Sequence, residues 1–422
     1  MGIGSGSAPK NRGTSNLEPI MFLPIHARPT RLTRRTLLLA AAASAALAAC
    51  GGDDDTVQPP ADTETARAAR EGVSAGLVGL AVGSVRVDRR DIAVAGRRRL
   101  GRAEAIQPGD TFGLGSNTKA MSAAAIAALI DRGVAAWTTP LSQVFPLPAG
   151  SPHAAVTLGD LLDHRAGLLA FNGAADDEVR FLSAWAESGQ PVPATIAERR
   201  HAFATWLLTQ APPGNIVPGR DFFYSNAGYA VAASIVETLA GEPFEALFET
   251  VLTRPLGLAG TWHRASMPPA EGAPAGHEGP VDALVVVDPD DETRAADPWL
   301  QVLDPAGSWH CTPASYADWL RWHLLAFRGG PSPLAVGYVQ RLMNAAPERY
   351  AVGWQSVTVP TGRLWMHTGH LGGFMAEVAV AADGSHAAFA VTNTGHMSPD
   401  GSSWVLTELD RRLGPIYAQA AG

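Results

Sequence analysis

Only two cysteines, Cys50 and Cys311, occur in 422 residues, too few for the disulfide framework of a small secreted domain. Positive charge is not in surplus either: 32 lysines and arginines face 40 aspartates and glutamates, a net charge of −8. Six of these positive charges and a single negative one fall within residues 1–50, so the remainder is more acidic still. That balance argues against nucleic acid as a partner. The chain has no internal repeat, no His-Glu-x-x-His and no cysteine–histidine cluster, so neither a metal nor a cofactor is expected. What remains is a hydrophobic fraction of 46%, ordinary for a globular protein and ample for one large domain or two lobes. A basic stretch at Arg86, Arg89, Arg90, Arg97, Arg98, Arg99 and Arg102 reads as a solvated hairpin, with contact to anionic lipid headgroups as the alternative.

The N-terminus reads as a targeting segment. Arg31, Arg34 and Arg35 precede an apolar run from Leu37 to Ala49, which ends in Leu47-Ala48-Ala49-Cys50. At about 13 residues the run is short of the roughly 20 that span a bilayer, and its flanks are those of a cleaved signal. Thr33-Arg34-Arg35 resembles a twin-arginine export signal and Leu-Ala-Ala-Cys a bacterial lipobox. That likeness implies lipidation of Cys50 and an exported envelope protein, periplasmic and anchored to the membrane through its lipid. A Sec-type or membrane-retained leader is the alternative, and Met21 is a second candidate start. Residues 1–50 are therefore assigned to the export signal, 51–70 to a flexible tether and 71–422 to the folded domain. With Cys50 so used, Cys311 is expected to be a buried structural thiol.

Within the domain, Leu77–Val85 and Asp91–Gly96 read as a strand hairpin, and an alanine-rich helix runs from Asn117 to Arg132. Helices over Leu158–His164, Ala202–Gln210 and Asn226–Ala240 follow, then a Pro/Gly/Asp-rich segment from Arg264 to Pro298. A helix near Ser315–Ala326 leads to strands at Ala351–Val359, Arg363–His367, Phe374–Ala381 and His386–Thr392, and a last helix spans Ser403–Leu413. Strands at both ends with helices between predict an α/β (α+β) fold. Its antiparallel sheet is built from both chain ends and flanked by helices, with a mostly helical lobe inserted over about 117–325.

Three short strings carry chemistry. In Ser116-Asn117-Thr118-Lys119 a hydroxyl and an amine stand one helical turn apart, at a helix N-terminus that favours developing negative charge. A lysine buried there is pushed toward its neutral form and is able to accept the serine proton. Tyr224-Ser225-Asn226 supplies a phenol, expected to have a lowered pKa beside a cationic amine and to shuttle a proton. Ser225 reads as a helix cap, and Asn226 is placed to hold Lys119 and a substrate amide. His367-Thr368-Gly369-His370 lies on an edge-like strand whose glycine permits close approach. A backbone N–H there, opposite that of Ser116, would make an oxyanion hole.

Two competing patterns fail on context. Gly72-Val73-Ser74-Ala75-Gly76 matches a nucleophile elbow, but strand and helix stand in reversed order around Ser74. Asp163-His164 reads as a helix end rather than as half of a catalytic triad.

Taken together, the three strings resemble those of the serine β-lactamase and penicillin-binding protein superfamily, closest to its class C and esterase/D-peptidase branch. Leu161-Leu162-Asp163-His164-Arg165-Ala166-Gly167-Leu168 and Pro255-Leu256-Gly257-Leu258 support the likeness, which covers residues 73 to about 415. The resemblance implies Ser116 as acylated nucleophile, Lys119 as its activator, Tyr224 as proton shuttle and Asn226, His367, Thr368, Gly369 and His370 as substrate-binding residues. His367 stands where β-lactamases usually carry lysine, a permanent cation for a substrate carboxylate. A mostly neutral histidine fits an esterase or D-amino-acid peptidase better than a dedicated β-lactamase. A class C-type β-lactamase and a penicillin-recognising sensor with slow turnover stay open as alternatives. The expected partner is a small-molecule or peptide-like ester or amide.

Overall fold

The computed structural model describes residues 63–173, 175–262, 272–287 and 297–421. The expected export signal, Cys50 and the tether as far as residue 62 lie outside them. The first helix, α1 (Glu64–Ser74), opens on Thr63, whose Oγ1 accepts the amide of Ala66 at 3.3 Å. The helix thus begins inside the segment assigned to the tether, over the stretch Ala66–Glu71 that the sequence reads as a short helix. A threonine cap, an acid in the first turn and three alanines start the helix, and Ala68 and Ala69 then bury against the sheet. Ser74 ends this helix, its hydroxyl bonded to the Arg70 carbonyl.

β1 (Gly79–Val85) and β2 (Arg90–Gly96) form a hairpin, and β3 (Phe112–Gly113) leads through a tight turn into α2 (Thr118–Asp131). The inserted segment supplies α3 (Leu158–Leu162), α4 (Ala175–Ser188), α5 (Ile196–Leu207), α6 (Asn226–Ala240), α7 (Phe244–Phe248) and α8 (Arg254–Leu256). Next come β4 (Gly260–Trp262), the pair β5 (His277–Glu278) and β6 (Val285–Val286), α9 (Asp304–Gly307), β7 (Trp309–Cys311), α10 (Pro313–Phe327) and α11 (Val336–Asn344). β8 (Tyr350–Ala351), β9 (Trp354–Val359), β10 (Gly362–Leu371), β11 (Phe374–Ala381), β12 (Ala387–Thr392) and α12 (Trp404–Ala421) close the chain.

The main sheet has the order β2-β1-β12-β11-β10-β9-β8, every pair antiparallel. β1 from one chain end lies against β12 from the other. Side chains alternate between its faces. Leu80, Val82, Met375, Ala379 and Ala390 pack outward with α1 and α12. Ala81, Val378, Val380, Phe389 and Val391 pack inward against the helical lobe. At the lobe's centre α2 is buried along nearly its whole length. Its alanines let neighbouring helices approach on all sides.

The expected basic hairpin divides in two. Arg86, Arg89 and Arg90 flank the β1–β2 turn, whereas Arg97, Arg98, Arg99 and Arg102 follow the other end of β2. Arg90 pairs with Asp318 and Arg98 with Asp110. Within the Arg264–Pro298 segment, the β5–β6 hairpin is docked by the buried His277. Its Nε2 accepts the Leu100 amide at 2.9 Å, and its Nδ1 donates to the Asn393 carbonyl at 2.8 Å. Cys311 is buried in β7.

Candidate active site

β9 pairs with β10 only as far as Met366, so from His367 onward one side of β10 is free of strand partners. The turn Gly115–Asn117 fills that side. Gly115 has a φ of 51°, and a Cβ there would stand 2.3 Å from the amide nitrogen of His370. A Cβ on Gly369 would meet the Leu114 carbonyl oxygen at 1.9 Å and the Ser116 nitrogen at 2.9 Å. Glycine at both positions lets two backbones meet without side chains between them. The amides of Ser116 and His370 are brought together in this way.

Ser116 is half-buried at the mouth of this contact. Its Oγ lies 3.0 Å from Lys119 Nζ and 2.9 Å from the hydroxyl of Tyr224. Lys119 is fully buried and its second partner is the Ala306 carbonyl at 2.7 Å. Burial pushes its pKa well below the ordinary lysine value, favouring the neutral amine with a lone pair for the serine proton. The chain contains just two lysines, Lys10 and Lys119. That scarcity is a sequence signal that marks Lys119 independently of its motif.

Two expectations need correction here. The Tyr224 phenol is raised, not lowered: burial dominates, and the bond with Ser116 offsets it in part. A cation lowers a neighbouring phenol, but the amine beside this one is itself desolvated. Tyr224 is therefore a protonated donor at rest. Asn226 does not hold Lys119. Its Nδ2 donates to the Phe171 carbonyl at 2.8 Å, while the end of α9 offers Lys119 a carbonyl left over from the short helix. Asn226 Oδ1 is buried without a protein partner. Ser225 caps α6, accepting the Gly228 amide at 3.1 Å and donating to the Leu169 carbonyl at 2.6 Å.

Sequence reasoning missed the support around Tyr224. His164 stacks on it at 4.2 Å between ring centroids and accepts the Ser225 amide at 3.2 Å through Nδ1. Burial and the adjacent Lys119 hold His164 well below its ordinary pKa. Asp163 turns away from it, to Arg341 and to the amide of Val352 at 2.9 Å, so the two form no triad.

His367 is buried on the side of β10 that faces Lys119, and burial pushes its pKa down to about 3, with Lys119 adding to the shift. Thr368 and His370 alternate to the opposite face. Thr368 stands across from Glu377 in the strand register, and His370 Nε2 lies 2.7 Å from Glu278 Oε1. Glu278, on the docked hairpin, was not foreseen. The two histidines three residues apart thus point in opposite directions.

A serine hydroxyl shared by a desolvated amine and a phenol, beside paired backbone amides, suits attack on a carbonyl. The Beta-lactamase family profile matches residues 60–409, and the chain belongs to that family. It is 24% identical over 354 residues to "Unguisins hydrolase ungD" of Aspergillus violaceofuscus, covering 75% of this chain and 58% of that protein. The chain thus spans less than two thirds of that relative's length. It is 23% identical over 364 residues to the "D-alanyl-D-alanine-carboxypeptidase/endopeptidase AmpH" of Escherichia coli K12, covering 79% of this chain and 85% of that one. Among solved structures, the D-amino acid amidase from Ochrobactrum anthropi SV3 superposes with a TM-score of 0.64 at 18% identity over 85% of this chain and 98% of that one. The class C beta lactamase from Rhodobacter sphaeroides gives 0.62 at 19%, covering 85% and 99%. These likenesses establish the fold.

Proposed function

We propose that the protein is a serine hydrolase that cleaves an ester or amide through an acyl-enzyme on Ser116, of the carboxylesterase or D-amino-acid peptidase type. The observation that carries this is the position of Ser116 Oγ, between Lys119 Nζ at 3.0 Å and the Tyr224 hydroxyl at 2.9 Å. Neutral Lys119 takes the serine proton as Oγ adds to the carbonyl carbon. The oxyanion forms between the amides of Ser116 and His370. Tyr224 gives its proton to the leaving alcohol or amine as the old bond breaks, and regains one from protonated Lys119. Water then repeats the sequence, releasing the acid and restoring Ser116. Asn226 Oδ1, held by the Nδ2–Phe171 bond, is the acceptor for a substrate amide N–H.

His367 bears on substrate. Buried and neutral, it supplies no permanent charge for a substrate carboxylate. This favours neutral esters and amides over β-lactams, and it accords with a structural neighbour named as a D-amino acid amidase. The class C likeness supports a β-lactamase as the second reading. Turnover of a short-chain aryl ester against a chromogenic cephalosporin, with Ser116→Ala as blank, separates the two. A faster cephalosporin would reverse the preference, and activity in Ser116→Ala would end the mechanism.

We further propose export and lipid anchoring through Cys50. The full-length chain should fractionate with membranes and incorporate labelled fatty acid. Label retained in Cys50→Ala would refute the anchor.

A further inference from the structure

The imidazole of His367 has both nitrogens engaged. Nδ1 lies 2.6 Å from the carbonyl oxygen of Thr368, and Nε2 lies 3.0 Å from the hydroxyl of Tyr350. A carbonyl oxygen only accepts, so Nδ1 must carry the ring proton. Nε2 then has a lone pair, and the bond requires the Tyr350 hydroxyl to donate. In this arrangement the ring has no free N–H and no charge, although it lies two residues before Gly369, whose backbone meets that of Ser116. Tyr350 is itself fixed. It is buried, with the rings of His164 at 4.6 Å, His367 at 5.7 Å and Tyr224 at 6.2 Å. The turn after β8 is tied down by Asp163, which accepts the Val352 amide and pairs with Arg341.

We propose that Tyr350 is a positioning residue that sets substrate specificity. By donating to His367 Nε2 it holds the imidazole as a neutral acceptor, so that the site does not select substrates bearing a carboxylate. The charged and titratable groups around the ring act in the same sense. Burial of the ring and, whenever it is protonated, Lys119 from α2 oppose an imidazolium, while His164 at the end of α3 is itself held neutral and Asp163, the acid at the turn after β8, is paired with Arg341. Without the Tyr350 hydroxyl, Nε2 is left as a buried lone pair. It then binds a proton when a substrate carboxylate is present to receive it.

This inference rests on the acyl-enzyme reading, and its test is separate. Two aryl esters with one leaving group are compared, an acetate and a hemisuccinate whose acyl chain ends in a carboxylate. The quantity read is the ratio of their kcat/KM values between pH 5.5 and 8. The unaltered protein should favour the acetate with a ratio that does not change with pH. In Tyr350→Phe the relative rate of the hemisuccinate should rise about tenfold at pH 5.5, the scale of one charge-assisted hydrogen bond, and fall back toward pH 8. An unchanged ratio in a folded Tyr350→Phe overturns the proposal. His367→Gln should leave the ratio in place, whatever it does to the absolute rate. A severalfold drop in hemisuccinate preference there would mean that His367 already acts as a cation. Should Tyr350→Phe not fold, His367→Lys decides: a gain for the hemisuccinate shows that this position reads carboxylates, and no gain sinks the idea. Silence of Ser116→Ala toward both esters tests the acyl-enzyme reading, not the role of Tyr350.

Discussion

Gly369 and Leu114 touch through bare backbone: a Cβ on the glycine would stand 1.9 Å from the leucine carbonyl oxygen. β10 is held against the serine turn at a distance that only glycine allows. Gly369→Ala must therefore push the strand away from Ser116, separating the two amides proposed to bind the oxyanion. One donor lost from such a hole costs roughly 10²–10³ in kcat. The expected result is a loss of that order with little change in KM and a far-ultraviolet circular dichroism spectrum like that of the parent. A normal kcat would show that the two amides do not act as a pair.

Lys119 gives a pH dependence with a definite sign. Its pKa is lower in the folded protein than in the unfolded chain, so the unfolded chain binds more protons between those two values. Stability must rise with pH through that window and fall as pH drops. The rate of acylation should climb over the same interval, as the amine loses its proton, and then level off. Lys119→Met should cut acylation by roughly 10²–10⁴, the range of a general base, while raising the melting temperature at neutral pH. Pre-steady-state acylation and thermal unfolding across pH check both halves. A less stable Lys119→Met would contradict the desolvated amine.

Glu377 behaves in the opposite sense. It is buried on β11, and burial, with Asp410 nearby, raises its pKa to about 8. The folded protein holds this proton where the unfolded chain has released it. The stabilising contribution is therefore complete below the ordinary glutamate range and is lost as pH rises through about 8. Glu377→Gln should flatten this slope, which thermal melts from pH 5 to 9 would reveal. An unchanged slope would place the carboxyl in water.

Asp163 joins three elements, since it ends α3, pairs with Arg341 on α11 and accepts the Val352 amide after β8. Asp163→Ala leaves Arg341 and that amide without their acceptor. Such losses cost about 3 kcal/mol when partners are largely buried. Urea denaturation should show a fall of this size. A change under 0.5 kcal/mol would mean that water replaces the carboxylate.

Much of this architecture is legible in the sequence because its signals are local. β11 falls on the expected Phe374–Ala381, and α6 on the expected Asn226–Ala240, with Ser225 as its cap. Ser116 and Lys119 are one turn apart on any helix, so their meeting needs no tertiary knowledge. What escaped the sequence depends on distant partners. The fate of the Tyr224 proton follows from whether its neighbouring amine is charged, and that follows from burial contributed by other elements. Ala306 reaches Lys119 only because α9 lies against α2, and a carbonyl leaves no mark on residue type. α4 went unread for a different reason: Asp176, Asp177 and Glu178 suit a helix N-terminus, but in isolation they resemble a polar loop. Glu278 and Tyr350 are ordinary residues until the β5–β6 hairpin and β8 bring them to β10.

The scarcity of lysine has a practical consequence. Among the described residues a lysine-specific protease has a single bond to cut, after Lys119, inside the first turn of a buried helix. No protease can engage that bond until α2 has left the lobe. The appearance of the fragment cut after Lys119 in native buffer therefore clocks the opening of the core around the serine without a label, with no other lysine among the described residues to compete.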